Sequence, residues 1–173
     1  LLERDIHQPA GGQAEALGDE VEVVVVGYMK VDFFQLSLTP TANIASVRAG
    51  FRALQSGTAG NVVSDKKGYT RELYGLTARG TAFAGILRKF RTEDLPAIGS
   101  IGKEPKDISL DDDQGIIEQN HFVLYQAHNL VGWQVNAHGN HPMRFERFLS
   151  EVWGTEVRLE PIIQPDAVRR LMA

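Results

Sequence analysis

The period of the apolar positions changes several times along the chain, and each change marks an element. Val21 to Leu38 begins with a continuous run, Val23-Val24-Val25-Val26. It continues with Phe34, Leu36 and Leu38 alternating with Gln35 and Ser37, the two-residue period of a strand, in which Gly27 reads as a bulge or bend. Pro40, Thr41 and Asn43 then open a stretch in which Ile44, Val47, Phe51 and Leu54 share one face of a helix ending at Gly57. Residues 57–68, rich in Gly, Ser, Asn and Lys, read as a loop.

Tyr69 to Arg79 and Thr81 to Arg91 predict two strands joined at Arg79-Gly80 in a hairpin. Leu95 to Leu110 contains Pro96, Gly99, Gly102 and Pro105, which break any regular element and predict a long exposed connection. A second hairpin is expected from His121 to Gln126 and Leu130 to Asn136, turning at Ala127-His128-Asn129. Pro142 suits a first helical position, Phe145, Phe148, Leu149, Val152 and Trp153 repeat at helical spacing, and Gly154 supplies the stop. Glu156 to Ile163 reads as a last strand, and Asp166 as the cap of a short helix through Val168 and Leu171.

This order predicts an α+β domain whose mainly antiparallel sheet is built from hairpins, with two or three helices packed on it. Residues 1–20, with Pro9, Gly11, Gly12 and Gly18, read as a flexible arm or loop, and 21–173 as a single domain. The chain starts with Leu1 rather than Met and stops at Met172-Ala173, so a fragment is expected, with 21–173 as the N-terminal part of a longer protein if the resemblance described below holds.

Composition narrows the picture. A chain of 173 residues with 43% hydrophobic content can bury a core without staples. The absence of cysteine removes a disulfide framework, a thiolate metal site and a cysteine nucleophile. It is compatible with a reducing cytosol, so a cytoplasmic location is expected. The apolar runs fall far short of the roughly 18 to 20 residues of a membrane span.

The net charge is −4, but it is unevenly spread. From Arg48 to Arg91 nine basic residues face two acids, a local +7; from Thr92 to Glu118 eight acids face two lysines, a local −6. Such a pattern predicts a polarised surface. Arg48, Arg52, Lys66, Lys67, Arg71, Arg88, Lys89 and Arg91 are therefore the candidate phosphate contacts, of a kind that holds a nucleic-acid backbone without reading bases. A solvated charged face is the alternative explanation for the same residues.

Other chemistry is weaker. His121, His138 and His141 could converge at one corner of the second hairpin and hold a metal for a hydrolase, with Asp111 to Asp113 nearby. Equally, Ala137 to His141 could be a polar turn in which His141 or Asn140 caps the helix. Asp94 with Glu104-Pro105-Lys106 imitates a metal-dependent nuclease, but Pro105 opposes the strand that such a site needs. Gly99-Ser100-Ile101-Gly102-Lys103 lacks the first glycine of a phosphate loop, and Asp111-Asp112-Asp113 lacks the final glutamate of a calcium loop. No catalytic triad is evident, and no cofactor is expected.

The stretch from Gly115 to Met172 carries a resemblance. HFVLY, then LVGWQVNAHG, FERFL, VRLEPII and DAVRRLM resemble the phage-exclusion protein RexA and similar DNA-binding components of anti-phage systems, including the Kiwa type. Phe122, Gly132, Gly139, Phe145, Phe148, Leu149, Glu160, Pro161 and Ile162 carry the match, which covers about a third of the chain and falls mostly on fold-forming positions. The resemblance implies sequence-independent binding of double-stranded DNA by a non-enzymatic homo-oligomer, with a membrane or effector protein as partner. It also implies that the turn around His138 and His141 is structural. A protein-interaction module, with the acidic 93–118 segment contacting a partner, stands beside it as a further expectation.

Overall fold

The computed structural model describes residues 29–64, 69–111 and 114–163. Seven strands and two helices occur among them, in the order β1 (Val31–Leu38), α1 (Val47–Gln55), β2 (Val62–Ser64), β3 (Thr70–Arg79), β4 (Ala82–Arg91), β5 (Ile116–Tyr125), β6 (Leu130–Gln134), α2 (Pro142–Trp153) and β7 (Val157–Pro161). The strands form one sheet in the order β2-β3-β4-β5-β6-β1-β7, with every pairing antiparallel. The α+β architecture is as expected. The third helix and the Gly27 bend lie outside the described residues, as do residues 1–20.

Alternation along the strands decides which face is covered. Phe83 and Leu87 of β4, Phe122 and Leu124 of β5, Val131 and Trp133 of β6, Leu36 of β1 and Val157 of β7 are buried on one face. Both helices pack there. Phe51 of α1 lies 5.6 Å from Phe83, and Phe145 of α2 lies 4.7 Å from Phe122 and 5.2 Å from Trp133, centroid to centroid. The α2 helix touches both β2 and β7 at opposite ends of the strand order, so the sheet curls around it. This aromatic layer, with the aliphatic side chains packed around it, forms the hydrophobic core, and its offset and edge-on ring contacts add to the stabilisation from burial.

The helix ends follow their local chemistry. Ser46, not the earlier Pro40 to Asn43 stretch, caps α1, its hydroxyl accepting from Ala49 N. Ile44 is buried ahead of the helix, with its N–H on Thr41 Oγ1 at 3.1 Å. Helix α2 starts with Pro142 at its first position and ends on Gly154 in the left-handed region, as the sequence predicts.

Three elements differ from the sequence reading. Val62–Ser64 form a short edge strand on β3 inside a segment whose composition reads as loop. The β3–β4 ladder shifts register between Tyr74 and Thr77, where Gly75 at φ +62° makes a bulge that periodicity alone did not show. Strand β5 begins at Ile116 rather than His121 and pairs with β4 over ten residues, with the polar Glu118 ion-paired to Lys89 across the ladder.

Candidate nucleic-acid interface

The structure divides the sequence-predicted basic residues into distinct environments. Arg48 and Arg52 lie one turn apart on α1, both exposed, on a helix that contains no acidic residue. Neither has an ion-pair partner among the described residues. Lys66 and Lys67 lie outside the described residues.

Arg71 is only 6% exposed, on the helix-covered face of β3. Its Nε donates to Asn140 Oδ1 at 3.0 Å, and Asn140 Nδ2 in turn donates to Leu87 O at 3.3 Å. Asn120 accepts from Asn140 N through its side-chain oxygen and donates to Gln134 O at 3.0 Å. Arg71, Asn140 and Asn120 are the buried polar residues among those described, and their network ties β3, β4, β5 and β6 to the start of α2. Burial without these bonds would cost several kcal/mol, so the network is a condition of the fold. The sequence reading missed Asn120 and took Asn140 only as a candidate helix cap; their pairing joins residues twenty positions apart, which no local pattern marks.

Arg88, Lys89 and Arg91 are engaged with carboxylates. The Arg88 guanidinium lies 3.7 Å from Glu72 and 3.2 Å above the Tyr74 ring centre. Lys89 is ion-paired with Glu118, and Arg91 lies 3.8 Å from the other oxygen of the same carboxylate. Glu118 falls directly opposite Lys89 in the β4–β5 ladder. The linear count assigned Glu118 to the acidic segment, yet chain reversal lays that segment's end over the basic strand. The +7 of the linear sequence is thus partly neutralised within the sheet.

The structure does not bring His121, His138 and His141 together as one metal-binding group. His121 is in the middle of β5, opposite Ile86 on the uncovered face, rather than at the strand's start. His138 is exposed in a turn where its N–H donates to Asn136 Oδ1 at 3.1 Å, and His141 caps α2, Nδ1 accepting from Met143 N at 3.3 Å. No group of three His, Cys, Asp or Glu side chains able to hold a metal occurs among the described residues. The expected convergence fails because Gln119, two residues before His121, faces Asn136 through the Asn136 Nδ2 to Gln119 O bond of 3.0 Å.

No helix covers the opposite face of the sheet among the described residues. Val31, Phe33, Ile117 and Tyr125 are exposed there, with Met29 beside them. Phe33 lies directly across from Gly132, its ring 3.3 Å from where a Cβ would stand, and together with Val123 and Tyr125 it bounds a hollow of about 230 Å³. None of the described helices is long and apolar enough to cross a membrane. Comparisons of the chain with protein-family models, with curated proteins and with solved structures found no match in any of the three.

Proposed function

We propose that this chain is a non-enzymatic, sequence-independent nucleic-acid-binding module, with double-stranded DNA as its ligand and phage exclusion or anti-phage defence as its setting. The setting rests on the RexA-like and Kiwa-like resemblance of residues 115–172. The observation that carries the binding reading is the exposed pair Arg48 and Arg52 on an acid-free helix. Two guanidinium groups one turn apart can reach phosphates on one strand and release their counterions. Lys66 and Lys67 complete the proposed set in sequence. Arg88, Lys89 and Arg91 belong to it less strongly, since Glu72 and Glu118 already compensate them.

The test is binding of a random-sequence duplex by wild type and by R48Q/R52Q across a salt series. Affinity that falls with salt, and a shallower salt dependence in the variant, supports the reading. Equal binding by both proteins moves the interface away from α1.

A second reading, a protein-interaction or homo-oligomeric module, draws on the uncovered sheet face with Phe33, Ile117 and Tyr125 exposed. An antiparallel sheet with one face free normally presents polar residues there, and apolar ones favour a protein partner. Light scattering over a range of concentrations, comparing wild type with F33K, distinguishes self-association from a monomer.

A further inference from the structure

We infer that residues 21–28, Val-Glu-Val-Val-Val-Val-Gly-Tyr, fold back over the uncovered face of the sheet and occupy the hollow between Phe33 and Tyr125. The inference goes beyond the nucleic-acid reading and does not depend on it. On the face where the second reading seats a partner protein, it seats this chain's own segment.

The face offers an apolar seat. Phe33 of β1 and Ile117 and Tyr125 of β5 are exposed on it. Met29, Val31, Phe33, Val123, Tyr125 and Gly132 line most of the hollow of about 230 Å³, so water there has few polar partners. The described residues begin at Met29, so residues 21–28 join the chain at the edge of that hollow. Five of these eight residues are valine, and Glu22 is their only charge.

The end of the ladder argues against a straight continuation of β1. Val135 N donates to Lys30 O at 2.9 Å, but β6 ends at Gln134, and the chain then turns, with Gly139 N on Asn136 O at 3.1 Å. On the other side, β7 pairs with β1 only from Phe34 to Leu38. Among the described residues no strand stands beside β1 ahead of Lys30. Continuing straight would carry the valines off the sheet into water, whereas a return over the face buries them against Phe33 and Tyr125. Gly27, which admits backbone conformations closed to other residues, stands where such a return has to bend.

Length and charge agree with this path. Eight extended residues span about 26 Å, whereas β1 and β4 stand three strand spacings apart, about 14 Å, so the segment is long enough to cross β6 and β5. Crossing in that direction brings Glu22 toward Arg88 of β4, which is opposite in sign and shares the face with Ile86 two residues before it.

The experiment is disulfide trapping in the whole chain, which has no native cysteine. Y125C is combined in turn with V23C, V24C and V25C, and R52C on the exposed side of α1 replaces Y125C in the controls. A disulfide needs Cα atoms within about 7 Å of each other, so it reports close seating. The expected result is an intramolecular disulfide that forms faster with Y125C than with R52C for at least one of the three positions. No such disulfide, or equal rates with Y125C and R52C, overturns the inference. So does a disulfide that forms only between chains, which assigns the face to a second copy.

A second measurement needs no cysteine. V23K/V25K, folded by circular dichroism, is expected to bind a hydrophobic dye more brightly than wild type and to scatter more light as concentration rises. Dye emission and scattering equal to those of wild type overturn the inference.

Discussion

Gly50 of α1 and Trp153 of α2 approach so closely that a Cβ on residue 50 would lie 2.5 Å from Trp153 Cε2. The indole is wedged against the two-helix contact, 5.4 Å from the Phe51 ring in an edge-on arrangement, with its Nε1 buried and without a hydrogen-bond partner among the described residues. A glycine inside a helix costs about 1 kcal/mol relative to alanine, so its presence reflects the closeness of the helices. G50A gains that propensity but meets a rigid ring, and overpacking of this kind costs about 1–3 kcal/mol. The expected net loss is about 1–2 kcal/mol, measured by urea unfolding. In a W153F background the clash is relieved and G50A becomes neutral or stabilising, a non-additivity that independent sites do not show.

The Arg71–Asn140–Asn120 network predicts a large effect from a small change. N140A removes the acceptor of Arg71 Nε and the donor to Leu87 O, both buried. Each buried group left unpaired costs about 1–3 kcal/mol, so a loss of about 2–4 kcal/mol is expected. N140D, which retains an acceptor for Arg71, should lose less. G139A should also destabilise, because a Cβ there collides with the Asn120 side chain. Equal stability of N140A and wild type would remove the network's role.

Glu118 tests the division between fold and interface. Its side chain is 13% exposed and serves both Lys89 and Arg91. E118Q leaves two partly buried cations without their shared carboxylate and is expected to cost about 1–2 kcal/mol. R48Q/R52Q, on exposed positions, should stay within about 0.5 kcal/mol of wild type. A denaturation midpoint that moves more for R48Q/R52Q than for E118Q would reverse this assignment.

His141 caps a helix, and serine or aspartate is a better cap than histidine. H141S is expected to raise stability by a few tenths to about 1 kcal/mol, and H138A to leave it unchanged. Added zinc should not shift the Tm of wild type. A zinc-dependent rise that H138A abolishes would restore the metal reading.

Much of the fold was legible because the apolar periodicity is strong. Phe145, Phe148, Leu149 and Trp153 on α2, and Phe122, Leu124, Val131 and Trp133 on the second hairpin, are buried where the pattern places them. What escaped depends on partners distant in sequence. The edge strand at Val62–Ser64 exists because β3 offers it a ladder, and Asn61 O also receives Leu73 N at 2.8 Å. The Asn120 and Asn140 pair is polar in a buried place, which a lone residue in a strand cannot announce. The basic candidates were legible as charges but not as free charges: Lys89 and Arg91 find Glu118 only after β5 folds back on β4.

The central proposal is tested most directly by binding of a fluorescent random-sequence DNA duplex from about 50 to about 300 mM salt, with wild type beside R48Q/R52Q. The predicted result is micromolar or tighter binding at low salt that weakens steeply as salt rises, with the logarithmic slope smaller by about two units in the variant. No binding at low salt, with both proteins folded, would contradict the nucleic-acid reading.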